Sequence, residues 1–271
     1  MAPKNAIDPR RMRHNFSIHA TQYDLYAVVQ RRAIEHLTSQ LKNVSPEPGL
    51  MLDIGTGTGA LAEELEKLLP NNPLVVMDIA HGMTCQARNR LPFAKACDGD
   101  ARSLPFGERV FTTVASSSVY QWVECLPTAF KETSRVLQSN GILAVALFGH
   151  RTLFELRTAH QEAVHDSGSD RLSHVQNFPS LEEVSSALIN AGLRIRSMAS
   201  CYEVEYHSDV PELMRQLKKI GASNASRNRP RGLSSRRVMQ KMISLYEGYR
   251  TGNGLPATYE IIIAVAEKTG N

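Results

Sequence analysis

Apolar positions along the chain follow two periods. Across residues 24–44, Leu25, Val28, Val29, Leu37 and Leu41 fall at helical spacing, which predicts a helix ahead of the main body. Ser45-Pro46-Glu47-Pro48-Gly49 breaks that pattern. Short buried-type runs then alternate with helical stretches, as in a parallel sheet joined by crossover helices. Strands are predicted at 50–54, 74–78, 95–97, 110–115 and 142–148, and helices at 60–69, 83–91 and 129–137. Ser139-Asn140-Gly141 reads as the turn into the fifth strand. Beyond Phe148 the regularity loosens. A helix is expected at 152–164, and Ser180 with Glu183 forms a capping box for a helix that stops at Gly192. A long strand at 193–206, helices at 209–220 and 234–246, and a buried strand at 258–266 complete the reading. The expected organisation is one domain over 1–271, with a helical segment at 1–45 and a helical cap inserted at 207–250 before the last strand.

Composition adds limits. The chain is 42% apolar and 21% charged, ordinary for a globular protein able to bury a sizeable core. No apolar run approaches the roughly 20 residues of a membrane helix, and the N-terminus lacks an apolar leader core. Cys85, Cys97, Cys125 and Cys201 lie far apart with no CxxC pair, which fits reduced thiols in the cytoplasm. His160 and His165 bracket a glutamate, but five residues put them off a common helix face, so no zinc site is expected. Hydrolase chemistry lacks its GxSxG elbow.

The candidate chemistry lies at the ends of the predicted strands. Asp53-Ile54-Gly55-Thr56-Gly57-Thr58-Gly59 joins the first strand to the first helix, where open α/β sheets bind ligands. Gly55, Gly57 and Gly59 permit positive φ and close approach of backbone to ligand. Asp78 ends the second strand, where a carboxylate accepts both ribose hydroxyls; Ile79 and Met83 follow it into the same site. A dinucleotide loop would need GxGxxG, with glycine at Ala60. Asp53 also suits a cationic methionine moiety better than a pyrophosphate. Asp100 and Ala101 after the third strand match an adenine amino group and ring nitrogen. Ser116, Ser117 and Ser118 end the fourth strand, where backbone groups would face the sulfonium. S-adenosyl-L-methionine is the cofactor this series fits.

With those motifs the chain resembles class I S-adenosylmethionine-dependent methyltransferases over about 50–148, including Arg135-Val136-Leu137-Gln138-Ser139-Asn140-Gly141. The resemblance implies a Rossmann-like α/β fold, helices on both faces, and strand order 3-2-1-4-5-7-6 with the seventh antiparallel. Further segments resemble the malonyl-acyl-carrier-protein O-methyltransferases of biotin biosynthesis. They are the stretch from Phe16 through Tyr23 to Arg31, Tyr120-Gln121-Trp122, Phe148-Gly149-His150, Leu217 to Asn224, and Thr251-Gly252-Asn253-Gly254 with Ala257-Thr258-Tyr259. This implies methyl transfer to the free carboxylate of malonyl on acyl carrier protein, with Tyr23, Trp122, Lys219 and Tyr259 around the acceptor and Arg151 as a further candidate. The alternatives are a small-molecule carboxyl or quinone methyltransferase, an RNA methyltransferase, and a module that binds the cofactor without catalysis.

Charge bears on the partner. Residues 218–241 hold eight basic side chains (Lys218, Lys219, Arg227, Arg229, Arg231, Arg236, Arg237 and Lys241) and no acid. The remainder of the chain is net acidic, so basicity is local and fits docking of an acidic carrier protein. No aromatic residue interrupts the stretch to stack bases, which weighs against nucleic acid.

Overall fold

The structure, a computed structural model, describes residues 8–167, 177–222 and 236–270. Seven strands form one sheet: β1 (Met51–Ile54), β2 (Leu74–Asp78), β3 (Lys95–Asp98), β4 (Phe111–Ser117), β5 (Leu137–Phe148), β6 (Leu193–His207) and β7 (Leu255–Lys268). Their order is β3-β2-β1-β4-β5-β7-β6. The pairs among β1 to β5 are parallel, and β7 runs antiparallel between β5 and β6. Ahead of the sheet lie α1 (Pro9–His19), α2 (Tyr23–Tyr26) and α3 (Val28–Leu41). The crossovers are α4 (Ala60–Leu68), α5 (His81–Arg90) and α6 (Leu126–Val136). Later come α7 (Phe154–Asp166), α8 (Leu181–Asn190), α9 (Val210–Lys219) and α10 (Arg236–Glu247).

Side chains of a strand alternate between faces, so each strand feeds two cores. Met51, Val76, Ala144 and Ile263 pack on one face with Leu37 of α3, Leu65 of α4, Leu156 of α7 and Met242 of α10. Leu52, Ile54, Val114 and Leu143 pack on the other with Phe130 of α6 and Val184 of α8. Each fully buried aliphatic side chain contributes about 1.5 to 3 kcal/mol.

Three boundaries differ from the sequence expectation. The helix expected over 24–44 is broken at Ala27, whose φ of −85° and ψ of 49° separate α2 from α3. Leu25 therefore sits 72% exposed on the one-turn α2, outside the apolar stripe of Val29, Leu37 and Leu41. The turn at 139–141 lies inside β5: Leu137 pairs with Phe111 and Ile142 with Thr113, while Asn140 takes the bend at φ +62°. Helix α1 carries no buried residue, so it leaves no apolar periodicity to read. It is set instead by Pro9 and by Asp8, whose carboxylate accepts the Arg10 and Arg11 amide hydrogens at 3.0 and 3.4 Å. The capping box at Ser180 and Glu183 is formed as expected. The helix expected at 234–246 is described from Arg236 onward; Ser234 and Ser235 lie outside the described residues. No helix among the described residues is long and apolar enough to cross a membrane.

Candidate functional site

The carboxyl ends of β1, β2 and β4 open onto a cleft of about 840 Å³, part of it continuous with solvent. Its floor is the loop from β1 to α4. Gly55, Gly57 and Gly59 hold φ of +67°, +56° and +91°, which side-chain-bearing residues adopt only under strain. A Cβ on Gly55 would lie 2.2 Å from a Val119 methyl, so the loop packs directly under the chain that leaves β4. A Cβ on Gly57 would meet nothing within 4 Å, so at Gly57 the backbone borders open space in the cleft wall. Gly59 caps α4 against Leu91 and does not reach the wall.

Two aspartates lie at this floor. Asp78 lines the cleft at the end of β2 and accepts the Gly57 N–H at 2.9 Å and the Ala80 N–H at 2.8 Å. These bonds aim its carboxylate while leaving further acceptor capacity on both oxygens. Burial pushes its pKa up to about 6 against the pull of the two amides, with the Asp98 charge adding to the rise. Asp53 is fully buried and stands behind the wall, on the same side of β1 as Met51. Thr56 and the Ala62 amide lie near enough to favour its charged form, yet neither oxygen has a hydrogen bond of good geometry. Burial above all, and then the nearby Asp78 charge, push Asp53 up to about 7.

The remaining wall follows the strand ends. Ile79 and Met83 flank Asp78, and Asp100 and Ala101 follow β3. Arg102 grips the Asp100 carboxylate through Nη2 at 2.6 Å and Nε at 3.0 Å. Burial raises the Asp100 carboxyl, but the Arg102 bonds more than offset it and hold the group below its usual range. Ser116 lies beneath the wall, its hydroxyl donating to the Ile54 carbonyl at 2.8 Å and tying β4 to β1. Ser117 and Ser118 do line the cleft; their hydroxyls are buried without a partner, and Ser118 holds φ +61°.

The N-terminal helices form a roof. Pro9, Met12 and Phe16 of α1 and Tyr23 of α2 line the cleft from above. Phe16 meets Trp122 edge-on at 5.4 Å between ring centres, closing roof onto wall. The Gly82 N–H donates to the Ser17 hydroxyl at 2.9 Å, and the Thr58 hydroxyl donates to Asp24 at 2.6 Å. Arg90 bridges Asp24 and Glu63, each at 3.1 Å. Burial, with the Asp78 and Asp24 charges, drives the Tyr23 phenol far above its ordinary pKa, so it stays a neutral donor.

Of the acceptor residues expected from sequence, Tyr23 and Trp122 are thus in the cleft, whereas Lys219 and Tyr259 are not. The Lys219 ammonium donates to the Tyr26 hydroxyl at 3.1 Å, at the other end of α2. Tyr259 packs beside Phe148 at 5.7 Å, and its phenol meets Glu205. Arg151 follows β5 and donates its amide N–H to buried Glu260 at 2.8 Å. The roof residues Pro9 and Met12 were missing from the sequence reading, whereas Ser118 lines the cleft as its place after the fourth strand implied. Arg102 was legible only as a base two residues after Asp100.

The donor and acceptor set fits an adenosine bearing a cationic methionine. Orphaned Asp53 oxygens under the loop match positive charge, Asp78 matches a ribose diol, and the space at Gly57 admits close backbone contact. Comparisons with known proteins agree. A family model described as a methyltransferase domain matches residues 52–145. The chain is 41% identical over 266 residues to the malonyl-[acyl-carrier protein] O-methyltransferase of Geobacter sulfurreducens, covering 97% of this chain and 100% of that one. It is 34% identical over 281 residues to the protein of the same name from Nitrosospira multiformis, covering 97% and 90%. Among solved structures, the YcgJ protein of Bacillus subtilis shares the fold with a TM-score of 0.61 at 16% identity, covering 88% of this chain and 100% of that one. The fold is that of an S-adenosylmethionine-dependent class I methyltransferase, and the chain belongs to the malonyl-[acyl-carrier protein] O-methyltransferase family.

Proposed function

We propose that this protein transfers a methyl group from S-adenosylmethionine to the free carboxylate of a malonyl thioester on acyl carrier protein, giving the methyl ester that primes pimeloyl synthesis for biotin. The observation that carries the choice of acceptor is the match over 97% of the chain, well beyond the cofactor half at 52–145. When bound, the cofactor supplies an electrophilic methyl on a cationic sulphur; a carboxylate oxygen bonds to that carbon as the carbon–sulphur bond breaks.

A malonyl carboxylate is already ionised at neutral pH, so no side chain has to accept a proton. What the residues supply is alignment and a dry cleft. Asp78 holds the ribose, and Asp53 offsets the positive charge from beneath Gly55 and Gly57. Asp100 and Ala101 border the adenine, and Ser117 faces the reacting methyl. Tyr23, neutral in its buried position, donates to the acceptor while Trp122 closes the apolar side. Lys219 and Tyr259 act from behind, by fixing Tyr26 on α2 and Phe148 at the end of β5. The segment at 207–250 forms the cap, and the basic stretch from Lys218 to Lys241 presents its Lys218 end to the carrier. Arg227, Arg229 and Arg231 of that stretch lie outside the described residues.

Methyl transfer is measured on malonyl carrier protein, malonyl-coenzyme A and free malonate, with mass spectrometry reading the ester. The carrier-bound substrate is expected to react most efficiently. Preference for free malonate would move the protein to the small-molecule carboxyl methyltransferases, and ester formed on none of the three would remove the reading.

A further inference from the structure

The chain concentrates positive charge in two segments about two hundred residues apart, and the fold brings one end of the second against the first. Helix α1 holds Arg10, Arg11 and Arg13, with no acid from Pro9 to His19. All three arginines are exposed, and none has an ion pair among the described residues. The same helix lines the cofactor cleft with Pro9, Met12 and Phe16. The arginines therefore stand on the outside of the cleft's roof.

The end of α9 reaches that roof. A Cβ on Gly221 would lie 3.1 Å from Phe16 Cδ1 and 3.2 Å from the Asn15 carbonyl oxygen. Lys218, exposed, and Lys219 close α9 just before that contact. Arg11 precedes Asn15 by four residues, so it shares the side of α1 that α9 approaches. Arg10 and Arg13 share a groove with Asp98 and Asp100, and each of those acids has a basic neighbour of its own: Asp98 is 2.8 Å from His81, and Asp100 is held by Arg102. The far end of the basic stretch sits elsewhere. Arg236, Arg237 and Lys241 belong to α10, which packs on α7, and Lys241 pairs with Asp166 at 3.3 Å. No residue of α10 lines the cleft.

We infer that the outer surface of α1, continued by the end of α9, is the docking site of the acidic carrier protein. The inference rests on the carrier-bound reading above. An acidic helix laid on this surface is complementary in charge, and its phosphopantetheine arm starts at the mouth of the cleft that it must enter. Arg236 and Arg237 of α10 are exposed as well, but no residue of that helix lines the cleft, so a carrier held there would not start its arm at the cleft mouth. Such a surface steers encounter and weakens with salt, because exposed charges are screened within a Debye length of about 10 Å at 0.1 M.

The test is direct binding of fluorescently labelled, phosphopantetheine-bearing acyl carrier protein without malonyl, so that its result does not depend on methyl transfer. Replacing Arg10→Glu, Arg11→Glu and Arg13→Glu together is expected to weaken binding at least about ten-fold at low salt. The wild type should lose a similar factor on raising salt to about 0.5 M, where the triple variant has little left to lose. Arg236→Glu and Arg237→Glu together should change binding less than about two-fold. Cofactor affinity of the triple variant, titrated in parallel, should match the wild type and shows that the roof is intact. If it does not, the Arg10→Gln, Arg11→Gln and Arg13→Gln triple replaces it. Wild-type binding of the carrier unaffected by either triple, absent altogether, or abolished by the Arg236→Glu and Arg237→Glu double variant overturns the site. Binding as expected, with no ester formed on malonyl carrier, would overturn the acceptor reading instead.

Discussion

The two floor aspartates make different predictions. Asp78 is set to accept two ribose hydroxyls in charge-assisted bonds, each contributing about 1.5 to 3 kcal/mol. Asp78→Ala should therefore weaken cofactor binding by about two orders of magnitude or more, as read by calorimetry. It also frees the Gly57 and Ala80 amides. Asp53→Asn removes a buried charge that lacks a well-formed hydrogen bond, so the cofactor-free protein should melt a few degrees higher and lose less affinity than Asp78→Ala. Unchanged affinity in Asp78→Ala would take that residue out of the site. Both carboxyls are raised in the folded protein, Asp53 to about 7 and Asp78 to about 6. Folding thus holds their protons more tightly than the unfolded chain does. Their contribution to stability is complete below the unfolded value near 3.8 and is lost as pH rises through about 6 and 7. A cationic cofactor needs the ionised forms. Its affinity should fall about a hundred-fold from pH 7.5 to 5.5, with protons released on binding near pH 6.5. Calorimetry in buffers of different ionisation enthalpy reads both, and a flat profile would detach the carboxyls from cofactor charge.

At the scale of elements, the loop from β1 to α4 separates folding from binding within three residues. Gly55→Ala forces a side chain at φ +67° into Val119 and should destabilise the protein by more than about 2 kcal/mol. Gly57→Ala carries only the cost of positive φ, about 1 kcal/mol, because its Cβ enters open space. That space is where the cofactor lies in the proposed mode, so Gly57→Ala should fold and yet bind the cofactor at least about ten-fold more weakly. Thermal melts beside cofactor titrations of both variants check the pair. Equal effects on binding and melting would show that the glycines serve the turn alone. Ser118, just past β4, also holds positive φ. Ser118→Gly should raise stability by up to about 1 kcal/mol in a denaturant titration.

For the whole molecule, the roof has few buried side chains of its own and depends on contacts with the sheet below. Helix α1 buries no residue completely, and α2 is a single turn. They are held by Phe16 against Trp122, by Ser17 on Gly82, and by Asp24 with Thr58 and Arg90. Trp122 is the single tryptophan of the chain, so its fluorescence reports closure of roof onto wall. Phe16→Ala removes an edge-on aromatic pair, which contributes about 0.5 to 1.5 kcal/mol beyond its buried area. It should shift Trp122 emission to the red and weaken cofactor binding about ten-fold. Emission unchanged in the variant would mean that the ring contact does not seal the cleft.

Local chemistry explains what was legible without coordinates. The strands and crossover helices of the cofactor half, and the Ser180 capping box, are set by apolar period and by short-range hydrogen bonding, both written in consecutive residues. Gly55, Gly57 and Asp78 were legible for the same reason, since a sharp turn and a strand-end acid are local patterns. The sequence could not separate Asp53, behind the floor, from Asp78, in the wall, because strand alternation says which face but not what covers it. Nor could it separate Ser116, spent on the Ile54 carbonyl, from Ser117 in the cleft. Lys219 and Tyr259, grouped with Tyr23 and Trp122 by family resemblance, lie outside the cleft because their contacts run to Tyr26 and Phe148. The roof was hidden most fully. Its helix carries charge instead of an apolar stripe, and its partners Gly82, Trp122 and Gly221 lie from 65 to about 200 residues away. Contacts of that range leave no period in the sequence. They arise only when the sheet has closed and brought the strand ends beneath α1.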